Sequence, residues 1–225
     1  MRFAWALLAM LGAVFLMSAA PPPADWTTTV SETPQGGFLI GNPDAKVKLV
    51  EYLSYTCPHC AEFSEQSAPA LKGGMVRNGS TSWEIRNWTR DPVDKAAAVI
   101  AHCAGPANFL KVNDAIFAHQ QEWFPPGWNY YQVNQMRLAM YPMDAQLKLL
   151  AQRSGLIALA HDQGLTDAQL DACFADDGLR QKIEAMHDSA PAGFEGTPGF
   201  LINGQYQKVF GWPPLEPLLR AAGAN

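Results

Sequence analysis

At 225 residues the chain is long enough for one domain with a substantial core, or for a domain that carries a large insertion. Hydrophobic residues make up 48% and charged residues 16%, a globular composition that excludes a disordered chain. Net charge is −5 with no run of Lys or Arg, which argues against nucleic acid as a partner.

The N-terminus reads as an export signal. Arg2 supplies a positive start, Phe3 to Met17 form an uncharged apolar run, and Ser18, Ala19 and Ala20 are the small residues of a cleavage site. Residues 1–20 are expected to be a signal peptide. The alternative is an uncleaved membrane anchor, which Pro21 directly after the site keeps open. Either way the bulk of the chain is expected outside the cytoplasm, where disulfides form and persist. Residues 21–36, rich in Pro and Thr, read as a flexible lead-in.

Residues 47–55, VKLVEYLSY, are dense in β-branched and aromatic side chains and predict a buried strand. Cys57 follows, and CPHCAEFSEQSAPAL predicts a helix with Pro58 in its first turn, where proline is tolerated. Residues 82–88, SWEIRNW, alternate as a second strand. From Asp91 to about Ala190 the pattern is helical. Asp91-Pro92 starts a helix that places Val93, Ala96, Ile100 and Cys103 on one face. A second helix is expected over 107–121, a loop with a short turn over the aromatic, proline-rich 122–142, and helical structure over 144–163. Thr166 and Gln169 have capping-box spacing, Leu165 and Leu170 fit the hydrophobic staple, and another helix is expected over 178–189. Residues 198–204 and 205–211 read as strands joined at Asn203-Gly204, a hairpin signal, before a terminal helix. The order describes an α/β domain, residues 37–90 and 191–225, interrupted by a helical insertion over 91–190.

The cysteines are Cys57, Cys60, Cys103 and Cys173, an even number that favours two disulfides in an exported chain. A cysteine just before a helix meets free backbone N–H groups and the positive end of the helix dipole, so its thiolate is favoured; His59, if protonated or donating, adds to this. A stabilised thiolate is a good leaving group in disulfide exchange, so the Cys57–Cys60 disulfide should be an oxidant, with Cys60 resolving. A zinc site would need a second close pair, which Cys103 and Cys173 do not form, so no metal is expected. A purely structural disulfide is the other alternative. Glu51, inside an apolar strand, is a candidate for proton exchange with Cys60 if buried; strand alternation could instead turn it to solvent. Thr197-Pro198 enters a strand and could expose backbone to an extended substrate. His102, His119, His161 and His187 read as surface or satisfied packing residues. Trp123, Phe124, Trp128, Tyr130 and Tyr131 read as core or, alternatively, as a partner groove.

Together EYLSYTCPHC, the helical insertion, GTPGFLINGQY and the terminal helix resemble the DsbA-type thiol–disulfide oxidoreductases of the thioredoxin superfamily, over about residues 36–222. The resemblance implies a thioredoxin-like fold with an inserted helical domain. It implies Cys57 as nucleophile beside Pro58 and His59, Cys60 as resolving thiol, Glu51 as buried acid, Thr197 and Pro198 as the substrate-binding loop, and a second disulfide between Cys103 and Cys173. It further implies a periplasmic protein that oxidises reduced exported polypeptides, a quinone-linked membrane reoxidase of the DsbB kind, and no cofactor beyond the disulfide itself. Thr197 departs from the Val typical of the enteric oxidases and is common in isomerase-type relatives. Residues 21–36 are too short for the isomerases' oligomerisation segment, so a monomeric oxidase is expected. An isomerase or reductase, or a non-catalytic periplasmic protein with an inert disulfide, stands as the alternative.

Overall fold

Val47, Leu49, Glu51 and Leu53 alternate onto one face of a strand, β3 (Val47–Leu53), and that face is buried along its whole length. β3 is a central strand of a six-stranded sheet in a computed structural model that describes residues 25–225. The expected signal segment and residues 21–24 of the lead-in lie outside the described residues. The other strands are β1 (Val30–Glu32), β2 (Phe38–Ile40), β4 (Thr81–Asn87), β5 (Gly199–Ile202) and β6 (Gln205–Gln207). Their order is β1-β2-β4-β3-β5-β6, with β3 and β4 parallel and every other neighbouring pair antiparallel. Helix α1 (Pro58–Ser67) makes the crossover from β3 to β4, passing at Pro69 into a π-helical stretch, Ala68–Val76. Helix α9 (Trp212–Ala222) closes the chain.

Seven helices are inserted between β4 and β5: α2 (Pro92–Cys103), α3 (Gly105–Ala118), α4 (Gln120–Leu138), α5 (Met143–Ser154), α6 (Leu156–Asp162), α7 (Asp167–Ala175) and α8 (Asp177–Asp188). α2 is their buried centre, with Val93, Ala96, Ala97, Val99 and Ile100 fully covered. Asp91 caps it, accepting from the N–H groups of Val93 and Asp94 at 2.9 Å each. The capping box forms: the Gln169 carboxamide accepts from the Thr166 N–H at 2.9 Å, and Thr166 Oγ1 from the Gln169 N–H at 3.3 Å. Asn203 and Gly204 both have positive φ, 50° and 81°, as a type I′ hairpin requires.

Two expectations are corrected. Residues 25–36 are not a flexible lead-in: Trp26–Thr28 form a 3₁₀ turn and β1 pairs with β2, Val30 opposite Ile40. Asp25 pairs with Arg77 at 2.9 Å, and the Trp26 indole lies so close to Gly79 that a Cβ there would stand 2.7 Å from the ring. β-Branched Thr29 and Val30 suit the extended backbone that leaves the turn and enters β1. Residues 122–142 are not a loop: α4 runs through Pro125 and Pro126. The prolines remove the helical bonds to the carbonyls of Gln121 and Glu122, but all four residues are exposed, so water can replace those bonds. On the inner side Trp123 is buried and donates to the Ile116 carbonyl at 2.7 Å. Gly127 lets α4 approach closely, since a Cβ there would meet Ser154 Cβ at 2.7 Å. Trp123, Phe124, Trp128 and Tyr131 pack in sequence against the core, with ring centroids 5.5–6.1 Å apart.

Cys103, at the end of α2, is bonded to Cys173 in α7, closing a loop of 70 residues. The Cys103→Ala/Cys173→Ala double variant is expected to unfold at lower denaturant concentration, with a stability loss of up to about 4 kcal/mol. Equilibrium urea unfolding checks this.

Candidate active site

The register of β3 with β5 builds the site. Tyr52 pairs with Gly199, so the Thr197–Pro198 peptide, which is cis, lies beside the C-terminal end of β3, where the chain turns into α1. Cys57 caps α1 and Pro58, which has no N–H to leave unpaired, occupies its first position. Cys57 and Cys60 are free thiols with exposures of 2% and 0%. Beside Cys57 opens a cleft of about 410 Å³ lined by His59, Glu62, Gln66, Thr197, Phe210 and Pro213, with Phe210 half exposed.

Hydrogen bonds to the sulfur hold the Cys57 thiol down to about 5. The largest contribution is the Cys60 thiol, which donates to Cys57; burial opposes it; the Thr197 side chain and the backbone N–H groups of Cys60 and His59 reinforce it. Cys60 moves the other way, well above the ordinary thiol range, through burial first and then through the neighbouring Cys57 and Glu51. In the dithiol, Cys57 Sγ donates to the Thr197 carbonyl at 3.3 Å, while the buried Thr197 hydroxyl has no partner among the described residues. Ionisation exchanges these roles: a thiolate cannot donate to the carbonyl but can accept from the hydroxyl. The His59 ring, expected to assist, is 73% exposed and faces Glu62 at 3.6 Å; His59 contributes through its backbone N–H.

Glu51 is buried, at 1% exposure, on the same face of β3 as Leu49 and Leu53, not turned to solvent. Trp83 Nε1 donates to its carboxylate at 2.9 Å. Burial outweighs that bond and raises the Glu51 carboxyl to about 8, so it is mostly protonated at neutral pH.

Sequence reasoning missed a second set of residues. Asp94, fully buried in the first turn of α2, accepts from the Ser54 hydroxyl at 2.5 Å, the Tyr55 N–H at 2.8 Å and the Arg90 N–H at 2.9 Å. Burial is the main reason its carboxyl rises to about 7. Asp91 accepts from the Thr56 hydroxyl at 2.7 Å, and Gln120 donates to the carbonyls of Tyr55 and Cys57. The helix-start signal flagged Asp91, but nothing in the pattern marks Asp94 or Gln120. Of the histidines, His102 is buried against Asn87 at 2.9 Å and burial lowers it to about 4, while His119, His161 and His187 lie at the surface of the insertion beside acidic neighbours.

A Cys-X-X-Cys pair where a central strand enters a helix, facing the Thr197–Pro198 loop across the sheet, defines a thioredoxin-like dithiol protein, here with a helical insertion. The chain belongs to the thioredoxin family, whose match spans residues 33–211. A solved protein-disulfide isomerase from Novosphingobium aromaticivorans is 33% identical, covers 81% of this chain and 95% of its own, and superposes with a TM-score of 0.76. The α-DsbA1 of Wolbachia pipientis shares the fold at 22% identity, 84% and 92% coverage and a TM-score of 0.63. A curated relative from Rickettsia bellii, provisionally named a protein-disulfide oxidoreductase, is 28% identical over 174 residues, 76% of this chain. The chain spans 58% of that relative's length.

Alkylation of the reduced protein by iodoacetamide is expected to follow a single thiolate with a midpoint near pH 5. Thr197→Val should raise that midpoint by about half to one pH unit. Stability should also depend on pH in the oxidised protein, where Cys57 does not titrate. Glu51 and Asp94 have folded values raised above their ordinary ones, so their stabilisation is complete below about pH 4 and is lost as pH rises through 7 to 8. Glu51→Gln, which keeps an acceptor for Trp83, should flatten this decline and stabilise the oxidised protein at pH 8 by about 3 to 5 kcal/mol. Urea unfolding at pH 5 and pH 8 measures both effects.

Proposed function

We propose that this protein is a periplasmic thiol–disulfide oxidoreductase of the DsbA type that introduces disulfides into exported polypeptides. The observation that carries the reading is the placement of the two thiols, Cys57 at the start of α1 with its Sγ 3.3 Å from the carbonyl of Thr197 in the cis Thr197–Pro198 loop and Cys60 fully buried behind it, a setting that holds Cys57 down to about 5 and pushes Cys60 well above the ordinary range. A substrate thiolate attacks Cys57 Sγ of the Cys57–Cys60 disulfide. The S–S bond breaks, and Cys60 leaves with the electron pair. Its high proton affinity draws a proton from the protonated Glu51 carboxyl, directly or through water. A second substrate thiolate attacks the substrate sulfur of the mixed disulfide and expels Cys57 as a stable thiolate. The substrate dithiol has lost two electrons and, to solvent, two protons; one proton returns from solvent to Glu51, so the protein has gained two electrons and one proton.

Thr197 and Pro198 would hold an extended substrate through backbone beside Cys57, with the cleft at Phe210 receiving its side chains. The export-signal pattern of residues 1–20 supports the periplasm, with an uncleaved anchor as the alternative. Reoxidation falls to a quinone-linked membrane protein of the DsbB kind. The redox disulfide is the sole electron carrier, and the protein acts as a monomer. Among the described residues no helix is long and apolar enough to cross a membrane. A second reading, disulfide isomerase, is favoured by Thr197 and by the name of the 33% identical relative.

Mixing oxidised protein with a reduced two-cysteine peptide tests the first reading. Rapid peptide oxidation is expected, and it is abolished in Cys57→Ser and in Cys60→Ala, neither of which can form the disulfide that accepts the electrons. Slow peptide oxidation combined with efficient reactivation of scrambled ribonuclease would transfer the assignment to the isomerase.

A further inference from the structure

The four residues that join β3 to α1, Ser54 to Cys57, are held from outside the sheet. The turn has its own bond, from the Cys57 N–H to the Ser54 carbonyl at 3.2 Å. Several of its other polar groups reach into the inserted helices. The Tyr55 N–H is taken by Asp94 of α2 at 2.8 Å and the Tyr55 carbonyl by Gln120 of α4 at 2.7 Å. The Tyr55 hydroxyl donates to Asn113 Oδ1 of α3 at 2.9 Å. Ser54 and Thr56 donate their hydroxyls to Asp94 and Asp91. Both backbone groups of Tyr55 are thus satisfied by side chains of the insertion, although Tyr55 stands only two residues before Cys57.

Gln120 does more than fill a vacancy. Its Nε2 also donates to the Cys57 carbonyl at 2.9 Å, so one amide group draws together the carbonyls on either side of Thr56. Gln120 opens α4 and is 2% exposed, yet its amide donors serve this turn. A carboxamide with two donors can bridge two carbonyls; a carboxylate or an apolar side chain of similar size cannot. The Cys57 carbonyl leads directly into α1, accepting from the N–H groups of Cys60 and Ala61 at 3.1 and 3.3 Å. Fixing that carbonyl fixes the angle at which the first turn of α1 meets the Cys57 sulfur. The N–H groups of His59 and Cys60 belong to the same turn.

We infer that Gln120, opposed across Tyr55 by Asp94, is a positioning residue for Cys57, and that the insertion sets the reactivity of the nucleophile through this clamp. The inference rests on Cys57 being the reacting thiol. Without Gln120 the Tyr55 carbonyl is left unpaired and the Cys57–Pro58 unit is free to tilt. The donors to the sulfur then lose alignment, and the thiolate loses support that no residue of the insertion provides by direct contact.

The experiment follows the Cys57 thiolate by absorbance at 240 nm against pH in reduced wild type, Gln120→Leu, Gln120→Asn and Asp94→Asn, with urea unfolding and far-ultraviolet circular dichroism alongside. Gln120→Leu is expected to raise the midpoint by one pH unit or more, a tenfold lower thiolate-to-thiol ratio at fixed pH. Gln120→Asn, which can reach only one carbonyl, should give a smaller rise, and Asp94→Asn a rise in the same direction. If Gln120→Leu does not fold, the Gln120→Asn and Asp94→Asn midpoints decide. A merely structural role would lower the unfolding midpoint and leave the thiolate midpoint where it is. A Cys57 midpoint within about 0.3 unit of wild type in every folded variant overturns the inference. The titration reads the thiol and not peptide oxidation, so failure of the oxidase assignment would appear separately, as a wild type that titrates low yet oxidises no peptide.

Discussion

The sulfur of Cys57 sits where α1 begins, and the rest of the molecule is organised around keeping a negative charge there. The Cys60 thiol, the N–H groups of His59 and Cys60, and the Thr197 side chain all favour the thiolate, and together they prevail over burial. A charge this well supported makes the dithiol the comfortable state and the disulfide the reactive one. Parallel pairing of β3 and β4 through α1 aims the helix start at the sheet's C-terminal end, and antiparallel β5 brings Thr197 back to the same point.

Around this centre the fold tolerates groups that a hydrophobic core would ordinarily reject. Glu51 and Asp94 are buried carboxyls with raised proton affinity, and they oppose the cysteine in their effect on stability. The thiolate stabilises the reduced fold above about pH 5, while the carboxyls favour low pH. Glu51 lies close enough to Cys60 for its charge to act on that thiol, whereas Asp94 touches the turn that presents Cys57. One buried acid therefore faces each cysteine's surroundings, the first suited to proton exchange and the second to geometry.

The elements that carry the chemistry were legible because their signals are local. β-Branched residues before a Cys-Pro-His-Cys helix start, Asp91-Pro92, the Thr166 capping box and Asn203-Gly204 each report a short-range preference. The alternation of β3 left the burial of Glu51 open until the structure showed that the face it shares with Val47, Leu49 and Leu53 is the covered one. What stayed hidden depends on partners distant in sequence. Pro125-Pro126-Gly127 reads as a loop until Gly127 is seen against Ser154 and the prolines against water. Residues 30–32 form strand structure only because β2 lies beside them. Gln120 and Asp94 meet Tyr55 across 65 and 39 residues, and no periodicity announces a side chain whose task is to hold another segment's backbone. His59 assists by donating, but through its backbone N–H, while the structure turns its ring to solvent.

The reduction potential of the Cys57–Cys60 couple, measured by equilibration with glutathione at pH 7, tests the central claim most directly. Thiolate support at Cys57 predicts a strongly oxidising couple, less negative than about −200 mV. A value near the −270 mV or so of thioredoxin would contradict it, showing that the charge at the start of α1 does not destabilise the disulfide.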